Sequence, residues 1–304
     1  MHDILVRAIC FVAIIAMGYI LKKIGFMHQE DFKVISKIVV KLTLTATIIV
    51  NFSGKNLDLS MFIMTAIGLT FGILMLVIGF FQAKKKGREE QAFAMLNSAG
   101  CNVGNFVVPF AQSFLSSTSI IAISLFDVGN SIITLGGAVS AAKTVVNGNE
   151  KFSVTFLLKT IFTSVPLVTY LVMTVFALVH FNLPEPVISY ADIIADANAF
   201  LAMFMIGVGF NISADLGKLK SIFKIIGIRY LVSIILAVVS YFVLPLPLEM
   251  KQPLVILFLS PIPSCAPAFT EEIGGDYGLA SAINSLSIII SIVFITASLA
   301  LMIN

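Results

Sequence analysis

The sequence predicts an all-α polytopic membrane protein whose ten spans form two inverted halves of five. Three observations lead there. Hydrophobic residues make up 59% of the 304-residue chain and charged residues 12%, about half the roughly 25% usual in soluble domains. Apolar runs near the length that crosses a bilayer recur from end to end. Two of those runs, at matching places in the two halves, are interrupted, one by Asn, Gly and Pro and the other by a cluster of Pro.

The spans are expected at 4–21, 34–53, 60–82, 91–114, 119–141, 156–180, 187–211, 222–244, 252–272 and 278–302. The first is followed by Lys22 and Lys23, whereas a cleaved signal carries its charge in front, so this helix is expected to stay. The second carries Lys33, Lys37 and Lys41 on one face, a cytoplasmic anchor with Lys41 snorkelling more than a substrate counter-ion. Loops between spans are short, which leaves no room for an inserted soluble domain.

Charge sets the orientation. Sixteen of the 19 Lys and Arg residues fall on alternate loops or their flanks: Lys22 to Lys41, Lys84 to Arg88, Lys143 to Lys159, and Lys218 to Arg229. Only Arg7, Lys55 and Lys251 lie on the other side. Positive loops stay in the cytoplasm, so both termini are expected outside a cytoplasmic membrane. The net charge of +3 is no nucleic-acid footprint. Cys10, Cys101 and Cys265 form neither a disulfide framework nor a CxxC site, and His2, His28 and His180 are too scattered for a metal.

An odd number of spans per half makes any repeat inverted. The repeat is weak but present: Asn51-Phe-Ser and Asn211-Ile-Ser end the second and seventh spans, and Pro109 in the fourth matches Pro267 in the ninth. The fourth reads NSAGCNVGNFVVPFAQ (97–112) and the ninth LSPIPSCAPAFTEE (259–272). Non-helical backbone at membrane depth survives only where protein buries it or it lines a cavity. Paired interrupted spans are the best sequence pointer to a transporter's substrate site.

These segments resemble the auxin efflux carrier family, whose bacterial members are often labelled malate permeases. The likeness covers nearly the whole chain. It is carried by Asn102-Val-Gly104 with Pro109, LGGA (135–138), PLVTYLVMTVFALVHFNLPEPV (166–187) and FLAMFMIGVGFNIS (200–213). Pro261, Pro263 and Pro267, followed by GGDYGLASAINSLS (274–287), complete it. The resemblance implies broken fourth and ninth spans that cross at the midplane. It also implies a scaffold of spans one, two, six and seven that dimerises, a mobile core of spans three to five and eight to ten, and a small organic anion as cargo. The halves would be 1–145 and 146–304.

A broken helix exposes N–H groups at the start of its second half, where the dipole favours an anion. Asn102, Asn105 and Pro109 from one break, with Ser264 and Pro267 from the other, are therefore the candidate substrate-binding residues. Phe106, Phe110 and Phe269 would be apolar walls or plain core. Asp127 is the one carboxylate well inside a span, on a face with Ser124, Asn130 or Ser131, and Thr134. It reads as a proton or sodium coupling site, with Asn130 beside it, or as a neutral aspartate held by polar neighbours. Glu271 and Glu272 follow the second break. One would face the cavity as a further cation ligand, or both would be solvated.

The function expected is alternating-access transport of a small carboxylate such as malate, with no enzyme activity, cofactor or resident metal, and with H+ or Na+ as the coupling ion. The alternatives are a cation-coupled carrier or antiporter of the same fold with a cation or sterol-like substrate, a passive channel, and an intramembrane aspartyl protease using Asp127 and Asp276.

Overall fold

A computed structural model describes residues 2–55, 57–148, 154–211 and 219–302. Ile212, Ser213, Lys151 and Lys218, which entered the repeat and charge readings, lie outside them. Every regular element among the described residues is a helix. In chain order these are α1 (His2–Lys23), α2 (Asp31–Phe52), α3 (Leu59–Gln82), α4 (Arg88–Leu96), α5 (103–111), α6 (Ser117–Asn147) and α7 (Val154–Thr163). Then come α8 (Val165–Leu178), α9 (Glu185–Gly209), α10 (Leu219–Phe242), α11 (Leu248–Phe258), α12 (Ala266–Glu272) and α13 (Tyr277–Met302).

Seven of these, α1, α2, α3, α6, α9, α10 and α13, are long and apolar enough to cross a membrane. The runs expected at 91–114, 156–180 and 252–272 are each divided into two shorter helices. The first division falls in the stretch marked by Asn, Gly and Pro, and the third in the one marked by Pro261, Pro263 and Pro267. The second does not follow the expected single span. Ser164 leaves the helical region at φ −81° and ψ 111°, and the helix restarts with Pro166 in its first turn. Proline has no N–H to bond back into a preceding turn, so it suits a restart better than a continuation.

Local chemistry sets several ends. The Asp58 carboxylate accepts from Ser60 N–H at 2.8 Å and opens α3. Ser116 Oγ accepts from Ser119 N–H at 3.2 Å and opens α6. Both are ordinary amino-terminal caps. Gly25, at φ 81°, turns the chain after the basic end of α1.

Two glycine-mediated contacts bring helices together. Between α1 and α9, a Cβ on Gly207 would overlap the Ile15 carbonyl, and one on Gly18 would lie 2.5 Å from the Phe204 carbonyl. Between α3 and α6, a Cβ on Gly68 would overlap the Phe126 carbonyl and one on Gly129 the Thr65 carbonyl. Without a hydrophobic driving force in lipid, such close backbone approach is how helices gain contact. The consequence is that α6 sits centrally. Protein covers 83% of its apolar stretch, against 22% for α1. Asp127 and Asn130 on α6 thus face protein, whereas Ile9, Phe162, Ile193 and Phe242 present the apolar outer face.

Gly129→Ala should lower the melting midpoint of the purified protein in detergent, since overpacking a tight contact costs about 1–3 kcal/mol. Gly227→Ala on α10, whose methyl would meet nothing within 4 Å, should leave the midpoint unchanged or raise it, through a stability gain of up to about 1 kcal/mol. Equal midpoints for the two variants would contradict the close α3–α6 approach.

Candidate functional site

α4 ends at Leu96, and residues 97–102 run without regular helix until α5 begins. α11 ends at Phe258, and residues 259–265 do the same before α12. The two breaks touch. The Asn102 N–H donates to the Pro261 carbonyl at 2.9 Å, and Asn102 Nδ2 donates to Ser264 Oγ at 2.8 Å. Cys101 Sγ reaches the Leu257 carbonyl at 3.2 Å, and Asn97 Nδ2 reaches Thr270 Oγ1 on α12 at 3.1 Å.

Each break leaves backbone groups that need partners, and side chains from neighbouring helices supply them. Asn130 on α6 serves the first. Its Oδ1 accepts from the Cys101 N–H at 2.8 Å while its Nδ2 donates to the Cys101 carbonyl at 3.0 Å. Asn284 and Ser287 on α13 serve the second. Asn284 Nδ2 donates to the Ile262 carbonyl at 2.8 Å, and Ser287 Oγ accepts from the Ile262 N–H at 3.1 Å. Gly100 is required at the first break: its φ is 72°, and a Cβ there would overlap Thr134.

Arg229 on α10 serves both breaks at once. It is fully buried. Nη1 donates to the Ser98 carbonyl at 2.6 Å, and Nη2 to the carbonyls of Gly100 at 2.8 Å, Ser260 at 3.1 Å and Pro261 at 3.5 Å. Ser98 and Gly100 follow the carboxyl end of α4, and Ser260 and Pro261 that of α11. The guanidinium therefore lies where two helix dipoles point their negative ends. The charge count had assigned Arg229 to a cytoplasmic loop; burial corrects this. The available signal was an arginine well inside an apolar span, which by default marks a functional position.

The candidate substrate residues are placed unequally. Asn102 and Ser264 are bonded across the breaks, and Ser264 and Pro267 line a cavity of about 390 Å³ together with Lys33, Glu271, Ser281 and Asn284. Lys33 thus opens onto this cavity, where the sequence reading favours an anchor over a substrate counter-ion. Asn105 is half-buried, and its Oδ1 has no hydrogen-bond partner among the described residues. Pro109 is buried one turn into α5. Phe106 and Phe110 stack at 5.7 Å and pack with Phe11 and Phe114, while Phe269 packs against the cluster containing Leu96 and Ile133. None of the three is among the residues lining that cavity.

Asp127 is 7% exposed. Its Oδ1 accepts from Asn130 Nδ2 at 3.0 Å and Ser131 Oγ at 3.3 Å. The same amide nitrogen of Asn130 also donates to the Cys101 carbonyl, so one residue joins the carboxylate to the first break. The two glutamates diverge. Glu271 lines the cavity, and Glu272 accepts from Lys143 Nζ at 2.6 Å at the surface. Asp276 Oδ1 accepts from the Leu279 N–H at 2.9 Å, at the start of α13.

Arg229→Met would leave carbonyls of both breaks without their donor, at about 1–3 kcal/mol each, a large share of the roughly 5–15 kcal/mol that holds a typical protein folded. It should abolish monodisperse protein on size-exclusion chromatography. Arg229→Lys, with charge but no fork to span both breaks, should recover part of it. Normal yield and melting midpoint for Arg229→Met would overturn this role.

The family model described as "Membrane transport protein" matches residues 4–303. No curated protein matches the chain. Membrane-crossing helices, two joined breaks and a match across nearly the whole chain agree, and they displace the protease alternative. The chain belongs to the membrane transport family of the auxin efflux carriers, and it is a multi-pass membrane transporter rather than an enzyme.

Proposed function

We propose that the protein moves a small organic anion, a carboxylate such as malate, across the cytoplasmic membrane by alternating access. The observation that carries this reading is the junction at Ser264, which takes the Asn102 amide on one side and lines the 390 Å³ cavity on the other. Asn102, Asn105 and Pro109 with Ser264 and Pro267 form the substrate site. Neutral donors suit a carboxylate, and two cations lie near them: Arg229 on the backbone behind the site, and Lys33 in the cavity lining, where Glu30 and Glu271 also stand.

In this reading the divided runs count as spans four, six and nine, which makes ten. Residues 1–145 and 146–304 are inverted halves, and the two breaks are the crossing. The Asn130 and Asn284 brackets, one on each break, support that symmetry. Spans one, two, six and seven form a dimeric scaffold, the remaining spans move against it, and both termini lie outside. The cavity then opens toward the basic, cytoplasmic side.

Asp127 is the coupling group, with Asn130 as its link to the break and Glu271 as a second cation ligand at the cavity. Glu272, expected as a further candidate, is engaged with Lys143. One net charge moving through 100 mV is worth about 2.3 kcal/mol. Uptake of a dianion into a negative-inside cell therefore needs accompanying H+ or Na+, whereas efflux or anion exchange does not.

Uptake of radiolabelled malate, malonate, lactate and indole-acetate into liposomes, with and without pH or sodium gradients, tests this. Saturable flux of at least one carboxylate is expected, reduced at least about tenfold by Ser264→Ala with Asn102→Ala, on a loss of roughly 1.4 kcal/mol or more. Asp127→Asn should remove the gradient dependence. Sodium or proton exchange without any carboxylate flux would replace the anion reading with the cation-exchange one.

A further inference from the structure

The carboxyl end of α3 meets the amino end of α10. Lys224, in the second turn of α10, donates from Nζ to the Gln82 carbonyl at 2.6 Å. Beside this contact Lys86, Ser221 and Lys224, with Glu90, line a groove between α3, α4 and α10. Lys84, Lys85 and Lys86 are exposed in the turn before α4, and Arg88 opens that helix with its guanidinium against Gly148. The carboxylates here are Glu89 and Glu90, in the first turn of α4. The ion pairs between described residues, His28–Asp31 and Lys143–Glu272, lie elsewhere. Phe81 and Phe223, each next in sequence to a groove residue, are 60% and 67% exposed. The Lys84 ammonium stands 5.6 Å from the centre of the Phe81 ring.

Both α3 and α10 are long and apolar enough to cross a membrane, so a groove where they end lies at the level of lipid headgroups. Long basic side chains at helix ends reach that level, and exposed phenylalanines beside them meet acyl chains. Basic pockets between membrane-crossing helices suit anionic headgroups, each lysine adding to the attraction. A soluble anion would use the charges and leave both rings uncovered. A neutral lipid would cover the rings and leave the charges unmatched. An anionic lipid serves both.

We propose that this groove holds an anionic phospholipid, its phosphate between Lys86 and Lys224 and its acyl chains against Phe81 and Phe223. Bound there, the lipid ties the turn before α4 to α10 and adds to the contact between Lys224 and Gln82. α4 runs from this groove into the first break, and α10 carries Arg229. The lipid therefore steadies both approaches to the junction of the breaks. The inference needs neither the substrate nor the coupling ion proposed above.

Delipidated protein in a neutral detergent, titrated with short-chain phosphatidylglycerol, short-chain phosphatidylcholine or glycerol phosphate, tests this through the melting midpoint. A saturable rise is expected with phosphatidylglycerol and with neither of the others. The Lys86 side chain makes no hydrogen bond or ion pair with a described residue, so Lys86→Gln should fold normally. It should raise the half-maximal lipid concentration about fivefold, the worth of one lysine at an anionic surface. Adding Lys224→Gln should raise it further, while Lys37→Gln, on the basic face of α2, should leave it unmoved. An equal rise with phosphatidylcholine would mean a general lipid effect, and an equal rise with glycerol phosphate a site for soluble anions. Either result would overturn the inference. So would no rise in the wild type, an unmoved half-maximal concentration in Lys86→Gln, or an equal shift in Lys37→Gln.

Discussion

A single buried guanidinium holds the centre of this molecule. Breaking two helices in the protein interior leaves buried carbonyls that need partners, and burying a cation without a counter-ion is just as unfavourable alone. Arg229 resolves the two problems against each other. Its donors reach two carbonyls after α4 and two after α11, so the negative ends of two helix dipoles compensate the charge. A planar fork spans both breaks, which a lysine ammonium would not do. The relative position of the breaks, and hence of Asn102 and Ser264, depends on this contact.

Around it, two asparagines complete the backbone accounting. Asn130 presents an amide to the backbone of Cys101 as a neighbouring strand would, and Asn284 with Ser287 does the equivalent at Ile262. These brackets come from α6 and α13, the helices that follow α5 and α12 in the chain. Each break is therefore tied to its own successor as well as to its counterpart. Packing supplies the remaining precision: glycines on α3 and α6 let the backbones approach until Thr65 Oγ1 can donate to the Leu125 carbonyl at 2.8 Å. Asp127 is thereby fixed beside the break, with Asn130 between.

Much of this was legible in the sequence, for identifiable reasons. Asn and Gly in the first stretch and a proline cluster in the second interrupt a helix by their covalent chemistry, and the breaks fall within those stretches, at 97–102 and 259–265. The polar stripe through Asp127 and Asn130 follows helical spacing and survives as a buried face. What escaped was pairing over long sequence separations. Arg229 was grouped with Lys218, Lys220 and Lys224 because a charge count weighs neighbours in sequence, whereas its partners lie 31 or more residues away. Lys143 and Glu272, 129 residues apart, could not be matched by spacing. Phe106 and Phe110 were placed as possible walls because periodicity gives a face without saying what covers it. The division at Ser164 was overlooked because Pro166 stands in an otherwise unbroken apolar run.

The contact between the two breaks is tested most directly by cross-linking. In a background with Cys10, Cys101 and Cys265 replaced by serine or alanine, Asn102→Cys and Ser264→Cys would stand where the amide and hydroxyl now meet at 2.8 Å. Mild oxidation should convert the folded double variant to an intramolecular disulfide, detected by loss of thiol labelling and reversed by reductant. Folded, monodisperse protein whose two thiols label fully after oxidation would mean that the breaks do not meet, and the account of the site would fall.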